Sequence, residues 1–162
     1  MAQLGAAVKE FPDDPQPYIG LGRVWLERAE RGGGRAELSK ALGALESASS
    51  YDRSSEAYTL YGRALMLAGE TARAERVLTE ATSRFPVDPL AHYYLAEAAH
   101  RRGHLAVAQR ALIDFAALQG LDSPYFDAGR LTRLAQAYLS TGVVTAARQA
   151  LEHAKQKTDR YR

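Results

Sequence analysis

The sequence predicts an all-α fold in which short helix–turn–helix units stack into a solenoid. One observation is a spacing of 34 and 39 residues between three glycines suited to turns, Gly69, Gly103 and Gly142. A second is that alanines recur with spacings of 33, 34 and 39 residues, at Ala41, Ala74, Ala108 and Ala147. The third is that the predicted helices are about fifteen residues or shorter, which is marginal for an isolated helix in water. Such helices must bury their apolar faces against neighbouring copies.

The clearest single unit lies between Phe85 and Leu112. Asp88 is a favourable N-cap, and Pro89 takes the first helical position, where a missing N–H costs nothing. Apolar residues follow at helical spacing up to Gly103, and glycine tolerates the left-handed conformation in which many helices end. A second helix with the same spacing comes after that turn. The stretch therefore predicts one antiparallel pair of helices.

Four copies of this pattern align along the chain. In the first helices, large residues mostly fill positions one, two and four, and position three is always glycine or alanine. A small residue is expected there because neighbouring helix backbones must approach closely. The aligned sets are Tyr18-Leu21-Gly22-Trp25, Tyr58-Tyr61-Gly62-Leu65, His92-Leu95-Ala96-Ala99 and Leu131-Leu134-Ala135-Tyr138.

These copies resemble the tetratricopeptide repeat (TPR), a 34-residue unit that carries W-x2-L-G-x2-Y, then A-x3-F, then A and P. The first helix Tyr18-x2-Leu21-Gly22-x2-Trp25 matches this pattern closely. The second copy supplies the later positions, at Ala74, Leu78, Ala81 and Pro86. The resemblance covers nearly the whole chain. It implies a right-handed α-solenoid that works as a non-catalytic scaffold or adaptor for protein binding.

The resemblance also predicts the organisation of the chain as a single TPR domain over residues 1–162. Residues 2–10 align with the end of a second helix, so the chain is expected to begin inside a repeat and to be a fragment of a longer protein. Repeat 1 follows at 15–53, with a glycine-rich insertion at Gly32–Gly34 that we expect to form a loop. The remaining repeats are expected at 55–86, 87–120 and 121–158.

Two details of the fourth repeat are predicted from its capping residues. Asp122 or Ser123 can cap a helix, with Pro124 at its first position. The first helix of this repeat is therefore expected to begin early and to run to about Thr141. After the turn at Gly142, the last helix is expected over about residues 143–157.

Composition and charge exclude several classes of protein. The chain has 162 residues, no cysteine and a formal net charge of +2. Thiol chemistry and disulfides are therefore excluded, and the charge is too small to indicate nucleic acid or an anionic membrane. No apolar run is long enough to cross a bilayer, and the N-terminus lacks the pattern of a signal peptide. The compartment stays open, between the cytoplasm and a bacterial periplasm, and the Ala- and Arg-rich composition suggests a bacterial source.

The sequence predicts neither an enzyme nor a cofactor or metal site. His100 and His104 are four residues apart, but Gly103 lies between them, so they straddle a turn instead of sharing a helix face. Arginines on the first helices are interspersed with glutamates such as Glu56 and Glu97, which argues against a basic stripe for nucleic acid.

A partner is expected on the concave side of the solenoid, which the first helices line. The stripe about 100° around each first helix from the core-facing positions should face this groove. Its mixture of apolar and charged side chains suits a protein or peptide segment with hydrophobic anchors. The predicted contacts are Ile19, Arg23, Leu26, Thr59, Arg63, Met66, Tyr93, Glu97, His100, Arg101, Thr132, Gln136 and Leu139. About a third of them are expected to contact adjacent helices instead.

Two other functions remain open. A chain that begins inside a repeat could self-associate through its terminal helices, because the last helix would leave Val144, Ala147 and Leu151 partly uncovered. Alternatively, the chain could be the accessory interaction domain of a larger enzyme or of a secretion or assembly machine.

Overall fold

The computed structural model describes residues 2–159, and within them it contains helices joined by turns and no strand. This confirms the predicted all-α repeat fold. The helices are α1 Ala2–Glu10, α2 Pro15–Glu30, α3 Arg35–Tyr51, α4 Ser55–Leu67, α5 Thr71–Thr82, α6 Pro89–Arg101, α7 Leu105–Gln119, α8 Ala128–Ser140 and α9 Val144–Asp159.

The backbone divides into two compact units, with the boundary inside α6 between Tyr94 and Leu95. The first unit contains α1 to α5 and the start of α6, and the second contains the rest of α6 and α7 to α9. The grouping of the helices into four repeats within one domain remains a prediction.

The predicted turn glycines are confirmed. Gly69, Gly103 and Gly142 have φ values of +80°, +77° and +85°. Residues with a Cβ atom rarely adopt such values. The helix that follows the glycine-rich insertion begins at Arg35, and residues 31–34 form the expected break. Consecutive helices pack against each other across the turns at Gly69 and Gly142, α4 with α5 and α8 with α9, and α2 packs in the same way on α3.

Helix packing in the first unit depends on two glycines at the predicted small positions. A Cβ added to Gly22 would lie 2.4 Å from Cγ of Leu45, and one added to Gly62 would lie 2.4 Å from Cγ of Leu78. Real Cβ atoms essentially never come this close to another heavy atom. Leu45 and Leu78 are fully buried. The expectation of a small residue is therefore confirmed at these two positions, where a leucine of the second helix packs against the glycine.

A buried serine ties three segments of the first unit together. Ser55, at the start of α4, is 2% exposed. Its Oγ donates to the carbonyl oxygen of Ala81 at 2.8 Å and accepts from the backbone N–H of Asp88 at 2.9 Å. The end of α5 and the turn before α6 are thus both held against the beginning of α4.

The second unit has an aromatic core that fixes the loop before α8. Phe126 is 2% exposed and packs edge-on against Phe115, with the ring centroids 5.6 Å apart. Asp127 caps α8, because its Oδ1 accepts from the N–H of Arg130 at 2.7 Å. The predicted early start of this helix at residues 122–124 is therefore wrong. Because the chain must first place the Phe126 ring in the core, the first residue that can cap the helix is Asp127.

A lysine from the last helix completes this loop. The Nζ of Lys157 donates to the backbone carbonyls of Ser123 at 2.9 Å and of Phe126 at 2.5 Å. The carbonyl oxygen of Asp122 lies slightly farther away, at 3.4 Å. An ammonium group satisfies several carbonyls at once, and charge-assisted hydrogen bonds are stronger than neutral ones. Lys157 thus holds the loop against α9.

Tyr138 makes the stability of the second unit dependent on pH. Its ring is 3% exposed, and its hydroxyl donates to the carbonyl oxygen of Leu112 at 3.1 Å. Burial raises the pKa of this phenol from 10.0 to about 12. The folded state favours the protonated form, so its contribution is complete below the unfolded pKa and is lost as the pH rises through the folded pKa.

We expect the free energy of unfolding to fall between pH 10 and pH 12, by up to about 3 kcal/mol from Tyr138 alone. Urea unfolding at several pH values measures this decline. Tyr138→Phe should make the decline smaller but not remove it, because the pKa of Tyr61 is also raised to about 12. The lost hydrogen bond should lower the free energy of unfolding by about 1 kcal/mol at neutral pH. Tyr51→Phe, which changes a tyrosine that is 51% exposed, is the control. Equal declines in all three proteins would contradict the assignment.

Candidate functional site

The predicted partner contacts separate into buried and accessible residues. Four of the thirteen are buried in this structure, with exposed fractions of 1% to 6%: Ile19, Leu26, Thr59 and Met66. They pack inside the first unit and leave little surface for a partner. In the same unit Arg23 is exposed, whereas Arg63 and Tyr93 are half-buried.

In the second unit, the predicted contacts all keep accessible surface. Glu97 is half-buried, and the other five are exposed: His100, Arg101, Thr132, Gln136 and Leu139. Three of the polar residues already have partners. Arg101 forms an ion pair with Glu97 at 2.5 Å. The hydroxyl of Thr132 donates to the carbonyl oxygen of Ala128 at 2.8 Å. Leu139, which is 53% exposed, is the apolar residue of this set.

Two reciprocal ion pairs join α2 to α4 in the first unit. Arg23 on α2 pairs with Glu56 on α4, and Arg63 on α4 pairs with Glu30 on α2. Partners in both pairs are 33 residues apart in sequence. Both arginines were among the predicted contacts, but neither ion pair was predicted. Opposite charges separated by one repeat length were the signal that could have revealed them.

The two pairs differ in how firmly they are held. The side chains of Arg23 and Glu56 are 51% and 53% exposed, whereas those of Arg63 and Glu30 are 29% and 30% exposed. Arg63 and Glu30 also make a bidentate contact, with the Arg63 Nε 2.7 Å from Oε1 and its Nη2 bonded to Oε2. Exposed ion pairs contribute little to stability, so the Arg23–Glu56 pair can exchange partners readily.

Further contacts fix the Arg63 guanidinium. It lies over the ring of Tyr94, 5.6 Å from the centroid, which is within the range of a cation–π interaction. Partial burial alone would lower the pKa of this group, but the hydrogen bonds to Glu30 and the interactions with Tyr94 raise it above its ordinary value. Arg63 therefore carries a positive charge in a fixed position.

The four charged residues lie on one face of the α2–α4 pair. Arg23 and Glu30 are seven residues apart on α2, and Glu56 and Arg63 are seven apart on α4, so each couple shares a helix stripe. Arg23 and Arg63 directly follow Gly22 and Gly62, which face the second helices. The ion-paired face is thus turned about 100° from the side that packs on α3 and α5. We call it the charged face.

Comparisons with known proteins identify this architecture. Residues 55–98 match the family model of the tetratricopeptide repeat. The solved structure of MamA is similar over 98% of this chain and 86% of its own, at 19% identity and a TM-score of 0.72. YrrB, described as a TPR protein with an unusual peptide-binding site, is similar over 95% of this chain and 74% of its own, at 16% identity and a TM-score of 0.70. Residues 55–98 therefore carry a tetratricopeptide repeat, and the chain shares the fold of these proteins.

One more solved structure is similar to this chain, whereas no curated protein matches it. A thermophilic TPR protein of Thermus thermophilus is similar over 96% of this chain and 82% of its own, at 22% identity and a TM-score of 0.67. The TM-scores of these three structures show a shared fold. The tetratricopeptide-repeat fold generally serves non-catalytic protein interaction.

The described residues were also compared with the requirements of metal sites and membrane spans. Within residues 2–159, the histidines and carboxylates form no group of three or more that could hold a metal ion. No helix in the same range has the length and apolar character needed to cross a membrane.

Two of the three α9 residues that were expected to be uncovered for self-association are exposed. Val144 and Leu151 are 58% and 45% exposed, and they lie seven residues apart on one face of α9. Ala147 is 1% exposed, so the expectation that it is uncovered is wrong. Its small side chain lies on the face of α9 that packs in the unit interior. Self-association remains a prediction.

Proposed function

We propose that the chain binds a peptide segment of a partner protein against the charged face of α2 and α4. The observation that carries this proposal is the exposed Arg23–Glu56 pair, which stands beside the firmly held Arg63–Glu30 pair. A partner with an acidic side chain can replace Glu56 at Arg23 at little expense, because exposed ion pairs are worth only about 0–1 kcal/mol.

Apolar contacts are available next to these charges. Leu67 follows Arg63 by four residues on the same stripe of α4 and is 44% exposed. Tyr93, near the start of α6, keeps part of its surface accessible. Peptides that dock on helical grooves use apolar anchors for affinity and charged groups for register and specificity. The segment that suits this face combines an apolar residue with neighbouring acidic and basic residues.

Similarity to YrrB supports the proposal, because YrrB is described as having a peptide-binding site and shares this fold. We propose a further set of partner contacts within the second unit, formed by its accessible predicted residues. They are Glu97, His100, Arg101, Thr132, Gln136 and Leu139. The buried residues Ile19, Leu26, Thr59 and Met66 do not belong to the proposed contact surface. They support the positions of the helices that carry it.

A charge exchange tests whether a partner uses the Arg23–Glu56 pair. Peptides are selected from a displayed random library, and their binding is measured by fluorescence anisotropy. The double variant Arg23→Glu, Glu56→Arg keeps an ion pair and should keep the stability of the fold. It should weaken binding about tenfold or more, since a charge-assisted hydrogen bond is worth about 1.5–3 kcal/mol.

A matched exchange on another helix is the control. Arg110 and Asp114 form an exposed pair on α7 at 3.1 Å, and Arg110→Glu, Asp114→Arg reverses it in the same way. This variant should bind the selected peptides as the natural chain does. The proposal fails if the α2–α4 exchange leaves binding unchanged, if both exchanges weaken it equally, or if the library yields no binding peptide.

A further inference from the structure

A second candidate site lies away from the charged face, in a cleft formed by α3, α4 and α5. The cleft has a volume of about 490 Å³, within the range of about 300–1,000 Å³ that is typical of binding pockets. The end of α3 forms one wall and α5 the other, and Tyr58 and Tyr61 of α4 lie between them. All of its lining residues belong to the first unit.

The charges in this cleft leave an excess of positive charge. Both of its carboxylates already have arginine partners, since Glu46 pairs with Arg73 at 2.5 Å and Glu80 pairs with Arg84 at 2.8 Å. The two other arginines that line it, Arg53 and Arg76, are exposed and form no ion pair within residues 2–159. Two guanidinium groups are therefore available to a ligand.

The floor of the cleft is aromatic and fixed in place. Tyr61 is 5% exposed, and its hydroxyl donates to Oε1 of Glu46 at 3.0 Å and accepts from Arg73. Burial, and then the neighbouring Glu46 carboxylate, raise the pKa of this phenol to about 12, so it stays neutral at physiological pH. Tyr58 is held as well, because the Arg84 guanidinium lies 5.6 Å from its ring centroid.

We infer that this cleft binds an acidic segment of a partner protein, in which carboxylates flank an apolar or aromatic residue. The carboxylates would pair with Arg53 and Arg76, whose planar guanidinium groups suit bidentate recognition. The apolar residue would lie on Tyr58 and Val77, which also line the cleft. A small anion would satisfy the arginines but leave this aromatic and aliphatic surface unused, and for that reason we favour a peptide.

The site is separate from the charged face on α2 and α4. Its walls are the second helices α3 and α5, whereas the charged face is formed by first helices alone. Arg23 and Arg63 do not line the cleft. The chain could therefore hold two partner segments at once, and loss of either site should leave binding at the other unchanged.

The test is a titration of the ¹⁵N-labelled chain, followed by amide chemical shifts. The probes are the capped peptide Glu-Glu-Tyr-Glu-Glu, its counterpart with glutamine in place of glutamate, and inorganic phosphate. We expect the acidic peptide to cause saturable shifts at Ser49, Ser50, Arg53, Arg76 and Val77. The glutamine peptide should cause none of comparable size, because it lacks the charges that the two arginines recognise.

Substitutions locate the interaction. Arg53→Gln and Arg76→Gln should each weaken binding of the acidic peptide about tenfold, the equivalent of 1.4 kcal/mol. Arg133→Gln, which changes an exposed arginine on α8, is the matched control and should have no effect. Circular dichroism should show that all three variants remain folded.

Several results would overturn the inference. It is wrong if the shifts fail to saturate, if they map to Arg23 and Glu56 instead, or if the glutamine peptide binds equally well. It is also wrong if inorganic phosphate produces the same shifts and displaces the peptide at equal concentration, because the cleft is then a site for small anions. Equal loss of binding in Arg133→Gln would show a response to net charge only.

Discussion

Phe126→Ala should lower the free energy of unfolding by about 3–5 kcal/mol, the usual range for removing a buried phenylalanine side chain. The ring is 2% exposed and packs edge-on against Phe115 and Tyr125, at centroid distances of 5.6 and 5.1 Å. Its loss leaves a cavity and also releases the loop whose carbonyls bind Lys157. Urea unfolding followed by circular dichroism measures the effect.

The chain supplies a matched control for this substitution. Phe85 is 95% exposed, so Phe85→Ala removes the same atoms without leaving a cavity. It should change the free energy of unfolding by less than about 0.5 kcal/mol. Hydrogen exchange should show that Phe126→Ala affects the amides of α8 and α9 most. A Phe126→Ala protein within about 1 kcal/mol of the natural chain would contradict the assignment of this ring to the core.

The start of α8 shows why some local structure could not be predicted from the sequence. Asp122, Ser123 and Pro124 form a plausible helix start, and each satisfies the local rules for one. The structure instead begins the helix at Ala128, because Phe126 must reach the core and Lys157 satisfies the loop carbonyls. Lys157 lies more than thirty residues from that loop in sequence, and local patterns carry no information about such a contact.

The features that were predicted correctly depend on repetition. A single turn glycine or a single small helix position is a weak signal, but its recurrence in aligned copies makes the signal specific. Gly69, Gly103 and Gly142 have positive φ, and Gly22 and Gly62 lie against leucines, as the alignment indicated. Each of these features arises within one helix pair. It therefore recurs with every repeat and is visible in the alignment.

The candidate site was predicted less completely, for a physical reason. A helical stripe gives the direction in which a side chain points, but not how much of it the next helix covers. Ile19 and Arg23 both lie on the predicted stripe, yet Ile19 is 5% exposed and Arg23 is exposed. The cleft between α3 and α5 was not predicted at all, because its arginines lie on or after second helices. Partner contacts were expected only on the first helices of the repeats.

Gly62→Ala should destabilise the chain by about 2 kcal/mol, although alanine is the better helix former. In a free helix interior this change stabilises by about 1 kcal/mol. Here the new Cβ would lie 2.4 Å from Cγ of Leu78 and 2.6 Å from its Cδ2. Leu78 is fully buried, so either its rotamer must change or α4 and α5 must separate. Overpacking of this kind costs about 1–3 kcal/mol and sometimes more.

Two further variants separate this steric effect from helix propensity. Gly43 lies in α3 with no atom within 4 Å of an added Cβ, so Gly43→Ala should stabilise the chain by up to about 1 kcal/mol. Leu78→Ala alone should cost about 2–5 kcal/mol, but less in the Gly62→Ala background, because the second change removes the clash. If Gly62→Ala instead stabilises the chain as Gly43→Ala does, then α4 and α5 do not approach as closely as the fold requires.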